Sequence, residues 1–200
     1  MMLFARDVLS RNQGAEIIFD VKCSNHLKKI IQDSGGKPLM WKTGHSLIKS
    51  KMKETQSPLA GEMSGHIFFS ERWYGFDDAL YSGARLLEIL MNMKSTAAEV
   101  FASLPDSVTT PELKIDLPEA EHQGFMKALE DKMSFDEAEI IKVDGFRVEF
   151  NDGWGLIRPS NTTPCLVARF EADTQEALGR IQGLFKDLLL SIKPDLRIPF

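Results

Sequence analysis

Short β-rich runs alternate with helical segments through the first hundred residues, and this order limits the fold more than any other feature of the chain. Strands are predicted for "AEIIFD" (15–20), "KPLMW" (37–41), "SPLAGE" (57–62) and "GHIFFS" (65–70), with helices over 24–36 and 45–55. Strand–helix–strand order favours an α/β domain with a mostly parallel sheet. Ligands of such sheets tend to bind at the carboxyl ends of the strands.

A longer amphipathic helix is predicted to follow the fourth strand, from Asp77 to about Met93. Its apolar residues recur at helical spacing, which is typical of a helix that buries one face. We therefore expect these side chains to point into the core: Leu80, Ala84, Leu87, Leu90 and Met91.

The second half of the chain has a different order of elements. The stretch "SLPDSVTTPE" (103–112) predicts a linker, and the dipeptides Asp144–Gly145 and Asp152–Gly153 predict hairpin turns. This order indicates a smaller α+β domain with an antiparallel sheet, so the predicted domains are 1–104 and 105–200. The predicted elements of the second domain are strands over 112–117, 138–145, 146–153, 154–160 and 165–172, and helices over 119–133 and 174–192.

Charge, cysteine content and hydropathy exclude several classes of protein. The net charge of −5 argues against a general nucleic-acid binder, which needs a basic face. The two cysteines, Cys23 and Cys165, form no disulfide framework or zinc motif, so a reducing cytoplasm is the expected location. The N-terminus lacks the features of a signal peptide, and no stretch approaches the roughly 18 apolar residues of a membrane span. Neither nucleic acid nor a membrane is an expected partner.

The segment "GEMSGHIFF" (61–69) sets an acid, a hydroxyl and an imidazole at every second position, in Glu62, Ser64 and His66. If this segment is extended, the three side chains lie on one side of it. Their hydrogen-bonding properties suit a polyol, and they also fit acid/base catalysis, a metal site or a solvent-facing strand edge. Spacing alone leaves these alternatives open, although a metal site needs further ligands nearby.

Two other polar residues follow predicted strands and share the same expected edge of the sheet. Lys22 comes after "IIFD", and His45 lies in "TGHS" after "KPLMW". Ser24, followed by an asparagine and a histidine, resembles a nucleophile with partners, but it also stands before a helix. A hydroxyl at that position is usually a helix N-cap, which is the interpretation we prefer.

The second polar segment is "RPSNTTP" (158–164), which joins two β-rich runs. It combines one guanidinium with hydroxyls, an amide and backbone N–H groups between two prolines, a set that suits a phosphate dianion. A polar turn that closes a hairpin is the alternative. The candidate phosphate ligands are Arg158, Ser160, Asn161, Thr162 and Thr163.

Taken together, these segments identify a family resemblance. "GEMSGHIFF" followed by "RWYGFDDALYSGARLLEIL" (72–90), and later "WGLIRPSNTTPCLVARFEA" (154–172), closely resemble the α-D-phosphohexomutases, above all the bacterial phosphomannomutase/phosphoglucomutase branch. The resemblance extends along essentially the whole chain and includes "DVKCS", "MWKTGHSLIK" and the terminal "PF". Two long motifs in the same order are far more specific than either alone.

The resemblance implies a four-domain, heart-shaped enzyme around a central cleft. This chain corresponds to the third domain, a sugar-binding mixed α/β layer, and to the fourth, a phosphate-binding α+β domain likened to the TATA-binding-protein fold without any DNA-binding role. By the family pattern, Glu62 and Ser64 bind sugar hydroxyls with His66 beside them, while Lys22 and His45 line the cleft. The segment from Arg158 to Thr163 matches the loop that grips the non-reacting phosphate.

The resemblance also implies what lies outside this sequence. The family's nucleophile is a phosphoserine in a "TASHNP"-like segment of the first domain, and its Mg²⁺ sits in a "DGDGDR" loop of the second; neither segment occurs here. We therefore expect that this chain supplies no catalytic or metal-binding residue of its own and that it is inactive in isolation. Lys22, His45 and His66 are expected to have supporting roles. The chain also begins within a predicted helix with no N-cap residue before it, which suggests that domains 1 and 2 are missing.

Two functions are compatible with these expectations. The first is the sugar- and phosphate-binding half of a mutase that interconverts hexose 1-phosphate and hexose 6-phosphate of mannose or glucose, with Mg²⁺ and a bisphosphorylated hexose activator. The second is a stand-alone, catalytically inactive sugar-phosphate binding or regulatory module.

Overall fold

The computed structural model describes residues 1–160 and 163–200, so the predictions for Asn161 and Thr162 lie outside the described residues. The chain divides into two compact units, Met1–Asp106 and Ser107–Phe200. In the described part of the chain, no helix is long and apolar enough to cross a membrane.

The elements of the first unit are α1 (Met2–Arg11), β1 (Glu16–Asp20), α2 (Asn25–Asp33), β2 (Lys37–Trp41), α3 (His45–Thr55), β3 (Leu59–Gly61), β4 (Ile67–Phe69), α4 (Ala79–Asn92) and α5 (Ala97–Ala102). Within the described residues, its strands form a four-stranded sheet in the order β2-β1-β3-β4. Strand β1 runs parallel to both β2 and β3, and β4 is antiparallel to β3. The predicted α/β class with a mostly parallel sheet is therefore confirmed.

Strand β1 is buried on both faces, as is usual for the inner strand of a parallel sheet covered by helices. Ile17 and Phe19 pack with residues of α1, α2 and α4 on one face. Ile18 packs with Ile48 and Met52 of α3 on the other. This apolar run leaves polar residues only at the two ends of the strand, and Asp20, at the carboxyl end, lies at the edge where ligands of such sheets bind.

The prediction of which face of α4 points into the core is wrong. Leu80, Leu87 and Met91 are 89%, 62% and 85% exposed, and Ala84 is exposed as well. The buried residues of this helix are Ser82, Arg85 and Ile89, and Leu90 is half-buried. The physical reason is Arg85, whose guanidinium donates to Asp7 at 2.7 Å and to Glu71 at 2.8 Å and thereby fixes the rotation of the helix about its axis.

The elements of the second unit are β5 (Val108–Thr109), β6 (Leu113–Asp116), α6 (Glu119–Lys132), β7 (Glu139–Ile141), β8 (Phe146–Phe150), β9 (Gly153–Pro159), β10 (Cys165–Ala172) and α7 (Gln175–Ile192). Its strands form an antiparallel sheet in the order β5-β10-β9-β8-β7, with β6 also paired to β10. The predicted linker is partly wrong, because Val108 and Thr109 form β5 and pair with β10. Both predicted turn dipeptides do join consecutive strands.

Helices α6 and α7 form a common core with one face of this sheet. Phe125 of α6 and Phe185 of α7 belong to the same buried cluster as Val148, Ile157 and Phe170. Thr174 caps α7 by accepting the backbone N–H of Ala177 at 3.1 Å. This packing holds β9 and β10 firmly and so fixes the two ends of the turn that joins them.

Candidate functional site

The carboxyl ends of β1, β2 and β3 meet at one edge of the parallel sheet in the first unit. Lys22 follows β1, His45 opens α3 after β2, and Glu62 directly follows β3. The structure therefore brings these three predicted residues to the same edge. Lys22 is buried there, and its Nζ lies 3.7 Å from Oδ2 of Asp20.

The segment 62–66 is a hairpin turn between β3 and β4, so the condition for Glu62, Ser64 and His66 to lie on one side of an extended segment is not met. The N–H of Glu62 donates to the carbonyl of His66 at 2.8 Å, and the N–H of Gly65 donates to the carbonyl of Glu62 at 3.0 Å. Gly65 has φ +95°, a conformation that only glycine adopts readily. As a result Glu62 is buried, whereas Ser64 and His66 are exposed.

Glu62 carries an unsatisfied carboxylate oxygen. The residue is only 4% exposed, and its buried Oε1 has no hydrogen-bond partner among the described residues. Burial raises the pKa of Glu62 above its ordinary value and the nearby Asp20 raises it further, while His66, Lys22 and the N–H of Gly44 oppose the shift. Leaving a buried acceptor without a donor costs free energy, so this oxygen is suited to accept a hydrogen bond from a ligand hydroxyl.

His66 is oriented by Asp77, a residue that the sequence pattern marked only as the start of a helix. Nδ1 of His66 lies 2.5 Å from Oδ2 of Asp77, and Oδ1 of the same carboxylate accepts the N–H of Ile67 at 3.3 Å. The ring of His45 lies 6.1 Å from that of His66, centroid to centroid. The two imidazoles therefore stand side by side, and one of them is fixed by a carboxylate.

Asp20, the last residue of β1, is a second functional candidate that the sequence analysis missed. Its side chain is fully buried and is contacted by groups from three different loops. The available signal was an acidic residue ending an apolar strand in "IIFD", because a carboxylate there is buried only if it is paired.

Arg158 lies near the end of β9 in the second unit, and it is buried. Its Nε donates to Oδ2 of Asp144 at 3.0 Å, while its buried Nη2 has no hydrogen-bond partner among the described residues. Asp144 was predicted only as a turn residue, and the structure adds an orienting role. The guanidinium thus keeps a donor for an anion, which is the geometry that Arg–phosphate recognition uses.

The remaining described residues of "RPSNTTP" close a tight connection between β9 and β10. The N–H of Ser160 donates to the carbonyl of Cys165 at 2.9 Å, and the N–H of Thr163 donates to the hydroxyl of Ser160 at 3.2 Å. The two hydroxyl oxygens lie 2.9 Å apart. Asn161 and Thr162, which complete the predicted set, lie outside the described residues.

Ser24 is a helix cap and not a nucleophile. Its hydroxyl accepts the N–H of His26 at 3.1 Å in extended backbone immediately before α2, which confirms the N-cap interpretation. Among the residues that the structure describes, no group of three or more His, Cys, Asp or Glu side chains is arranged to hold a metal ion.

Comparison with known proteins identifies the family. Residues 1–108 match the model of the phosphoglucomutase/phosphomannomutase alpha/beta/alpha domain III, and residues 112–188 match that of the phosphoglucomutase/phosphomannomutase C-terminal domain. A Pseudomonas putida phosphomannomutase/phosphoglucomutase is 56% identical over 200 residues, which are 100% of this chain and 43% of that protein. A Neisseria gonorrhoeae phosphoglucomutase is 58% identical over 194 residues, which are 96% of this chain and 42% of that protein.

A solved structure gives the same result. A phosphoglucomutase/phosphomannomutase family protein from Burkholderia thailandensis superposes with a TM-score of 0.93 at 52% identity, covering 100% of this chain and 42% of that one. The chain thus spans less than half the length of these relatives. The resemblance carried by the two motifs is confirmed, and the chain belongs to the phosphoglucomutase/phosphomannomutase family, in which it corresponds to domain III and the C-terminal domain.

Proposed function

We propose that this chain is the sugar- and phosphate-binding part of a phosphohexomutase that interconverts hexose 1-phosphate and hexose 6-phosphate. The proposal is carried by one observation: each of the two family motifs contains a buried, charged side chain with a polar atom that makes no hydrogen bond among the described residues. These atoms are Oε1 of Glu62 and Nη2 of Arg158, both without a partner among the described residues. One is an acceptor and the other a cationic donor, as a hydroxyl and a phosphate require.

In the first unit, the proposed ligand is the hydroxyl-bearing part of a hexose. Glu62 accepts a hydrogen bond from a sugar hydroxyl, and Ser64 donates or accepts one at the exposed tip of the turn. Nδ1 of His66 is held by Asp77, and the rest of the imidazole ring contacts the sugar. Lys22 and His45 complete the set. Mannose and glucose differ only at the 2-hydroxyl, so a turn that binds the other hydroxyls accepts both sugars.

In the second unit, the proposed ligand is the phosphate that does not react. Arg158 supplies the charge, and Ser160 and Thr163 supply hydroxyl groups from the same connection; we include Asn161 and Thr162 on the family pattern. These residues make and break no bond. They hold the substrate in a reactive orientation, an entropic contribution that reaches several kcal/mol in enzymes.

The chemistry itself is assigned to residues outside this chain. The proposed phosphoserine and Mg²⁺ belong to the two preceding domains of a whole enzyme, and a bisphosphorylated hexose serves as activator. We also propose a cytoplasmic, reducing location, because the two cysteines form no disulfide bond among the described residues and so require no oxidising compartment.

A two-part experiment tests the proposal. NMR titration of the chain with glucose 1-phosphate is expected to shift the amides of 61–66 and 158–165, whereas inorganic phosphate shifts only the second set. A chain that responds to neither ligand would contradict the proposal. The second part is a mutase assay with glucose 1,6-bisphosphate and Mg²⁺, in which the chain alone is expected to show no turnover.

Fusion to the N-terminal part of the Pseudomonas putida relative then distinguishes the two functions. Turnover in the fusion, lost on Arg158→Ala and kept on Arg180→Ala, supports the mutase. Binding without turnover in any fusion supports the stand-alone binding module instead. Turnover by the chain alone would overturn the assignment of the chemistry to residues outside it.

A further inference from the structure

Asp20 occupies the centre of the strand ends that carry the proposed sugar site. It is 0% exposed, and no proposed ligand contact uses it. Its Oδ1 accepts the N–H of Met63 at 3.0 Å and lies 3.1 Å from Sγ of Cys23. Its Oδ2 accepts the hydroxyl of Thr43 at 3.1 Å and lies 3.7 Å from Nζ of Lys22.

These four contacts reach three different loops, since Lys22 and Cys23 share the connection after β1, and each contact lies within two positions of a proposed ligand residue or at one. Lys22 is itself one of them, Thr43 stands two positions before His45, and Met63 separates Glu62 from Ser64. A buried carboxylate is retained only where its hydrogen bonds and charge are satisfied. The groups that satisfy the Asp20 carboxylate belong to the three loops after β1, β2 and β3. These loops must keep one arrangement if a single sugar is to contact all of the proposed ligand residues.

The charge of Asp20 acts in addition to its hydrogen bonds. The groups that face the Glu62 carboxyl are Asp20 of β1, Lys22, the N–H of Gly44 and His66. Asp20 is the anion of this set, and it raises the pKa of Glu62, which burial has already raised. The protonation of the proposed sugar acceptor is therefore linked to a residue that does not touch the ligand.

From these contacts we infer that Asp20 is the positioning residue of the hexose-binding edge: it fixes the loops of Lys22, His45 and Glu62 in one arrangement and places its negative charge beside the Glu62 carboxyl. The inference rests on the proposed function for the identity of the ligand. The arrangement and the effect on Glu62 can be measured without any ligand, so the two proposals can fail separately.

The test compares Asp20→Asn, Asp20→Ala and a matched control, Asp33→Asn, which removes an exposed carboxylate of α2. Asparagine keeps the shape and one acceptor oxygen of Asp20 but removes its charge. In the ligand-free chain, the carboxyl carbon of Glu62 is titrated by ¹³C NMR. The Glu62 midpoint is expected to move to lower pH in Asp20→Asn and to stay unchanged in Asp33→Asn; an unmoved midpoint in Asp20→Asn would overturn the electrostatic role.

Amide hydrogen exchange tests the structural role. Asp20→Ala is expected to accelerate exchange at Met63 while the amides of the second unit keep their rates, and wild-type protection of Met63 would overturn this role. If Asp20→Ala does not fold, the Asp20→Asn titration decides alone. Binding of glucose 1-phosphate is expected to weaken by at least about tenfold in Asp20→Ala, the scale of a lost charged hydrogen bond, and less in Asp20→Asn. A wild-type chain that binds no glucose 1-phosphate would refute the proposed function while the two ligand-free measurements still decide the role of Asp20.

Discussion

Arg158 places Nε 3.0 Å from Oδ2 of Asp144, so that a turn residue between β7 and β8 orients a guanidinium at the end of β9. Gly145 makes this pairing possible. It has φ +71°, and a Cβ there would lie 2.3 Å from the carbonyl oxygen of Ile157 and 2.5 Å from Cβ of Arg158. The guanidinium is thus fixed before any ligand arrives, which reduces the entropy lost on binding.

The first prediction concerns Arg158 itself. Arg158→Ala is expected to weaken glucose 1-phosphate binding by about 1.5–3 kcal/mol, the usual size of a hydrogen bond to a charged group. Isothermal titration calorimetry measures the change. Arg180→Ala is the matched control, because Arg180 is an exposed arginine of the same unit that pairs with Asp152. Unchanged affinity in Arg158→Ala would remove this residue from the site.

The second prediction concerns the turn that supports Arg158. Gly145→Ala is expected to lower the free energy of unfolding by more than about 1 kcal/mol, since alanine is strained at positive φ and its Cβ meets backbone. Gly179→Ala, in α7 with nothing within 4 Å of the added Cβ, is expected to raise it by about 0.5–1 kcal/mol. Urea unfolding followed by NMR in the second unit compares the variants. Equal stabilities would show that the turn tolerates a side chain.

The third prediction follows from the buried carboxyl of Glu62. Because the pKa of Glu62 is raised in the folded chain, ionising this group opposes folding. The opposition is absent at low pH, where both states are protonated, and it develops as the pH rises from the unfolded pKa through the folded one. Glu62→Gln is therefore expected to be more stable than the wild type at neutral pH, equally stable near pH 3, and weaker in sugar binding.

Urea unfolding at several pH values, monitored in the first unit, measures this difference. Glu54→Gln, which changes an exposed carboxylate of α3, serves as the control and should follow the wild type at every pH. A Glu62→Gln variant with no gain at neutral pH would mean that the carboxylate is adequately solvated when the site is empty.

The fourth prediction concerns the ion pairs that hold α1 to α4. Hydrogen bonds from Arg11 and then Arg85 lower the pKa of Asp7. A lowered carboxyl pKa contributes stability that is present above the unfolded value and is lost as the pH falls through the folded value. Asp7→Asn is therefore expected to lower the free energy of unfolding by about 1–2 kcal/mol at pH 7, with no difference from the wild type at the lowest pH.

Chemical unfolding at pH 7 and at the lowest pH tests the prediction for Asp7→Asn. Asp33→Asn breaks an exposed pair with Lys29 on the surface of α2, and it is expected to change stability by less than about 0.5 kcal/mol. A loss in Asp7→Asn that persists at the lowest pH would point to altered packing and not to the ion pairs.

The sequence predicted most elements of the fold because each has a periodic pattern and a marked end. Ser24 and Thr174 supply caps, and the Asp–Gly dipeptides supply turns. The parallel order of β1, β2 and β3 then follows from the helices between them, and with it the meeting of Lys22, His45 and Glu62 at one edge. Local patterns suffice for these features because they depend on neighbours in sequence.

The features that the sequence did not predict are one local conformation, that of 62–66, and several contacts between residues far apart along the chain. Alternation cannot distinguish a strand from a hairpin turn, and the positive φ of Gly65 turns 62–66 into the latter. Asp20 and Asp144 acquire their roles only when Met63 and Arg158, 43 and 14 residues later, meet them. The rotation of α4 depends on Asp7, which lies 78 residues before Arg85.

The last prediction tests that rotation. If the exposed apolar side of α4 contributes nothing to the core, Leu87→Gln should change the free energy of unfolding by less than about 0.5 kcal/mol, as surface substitutions do. Ile89→Ala, two residues further on the buried side, should lower it by about 2–5 kcal/mol through lost packing and a cavity. Thermal and urea unfolding of the first unit compare the two variants. If Leu87→Gln lowers the free energy of unfolding more than Ile89→Ala does, the buried face of α4 is the one expected from apolar spacing. That result would contradict the anchoring of the helix by Arg85.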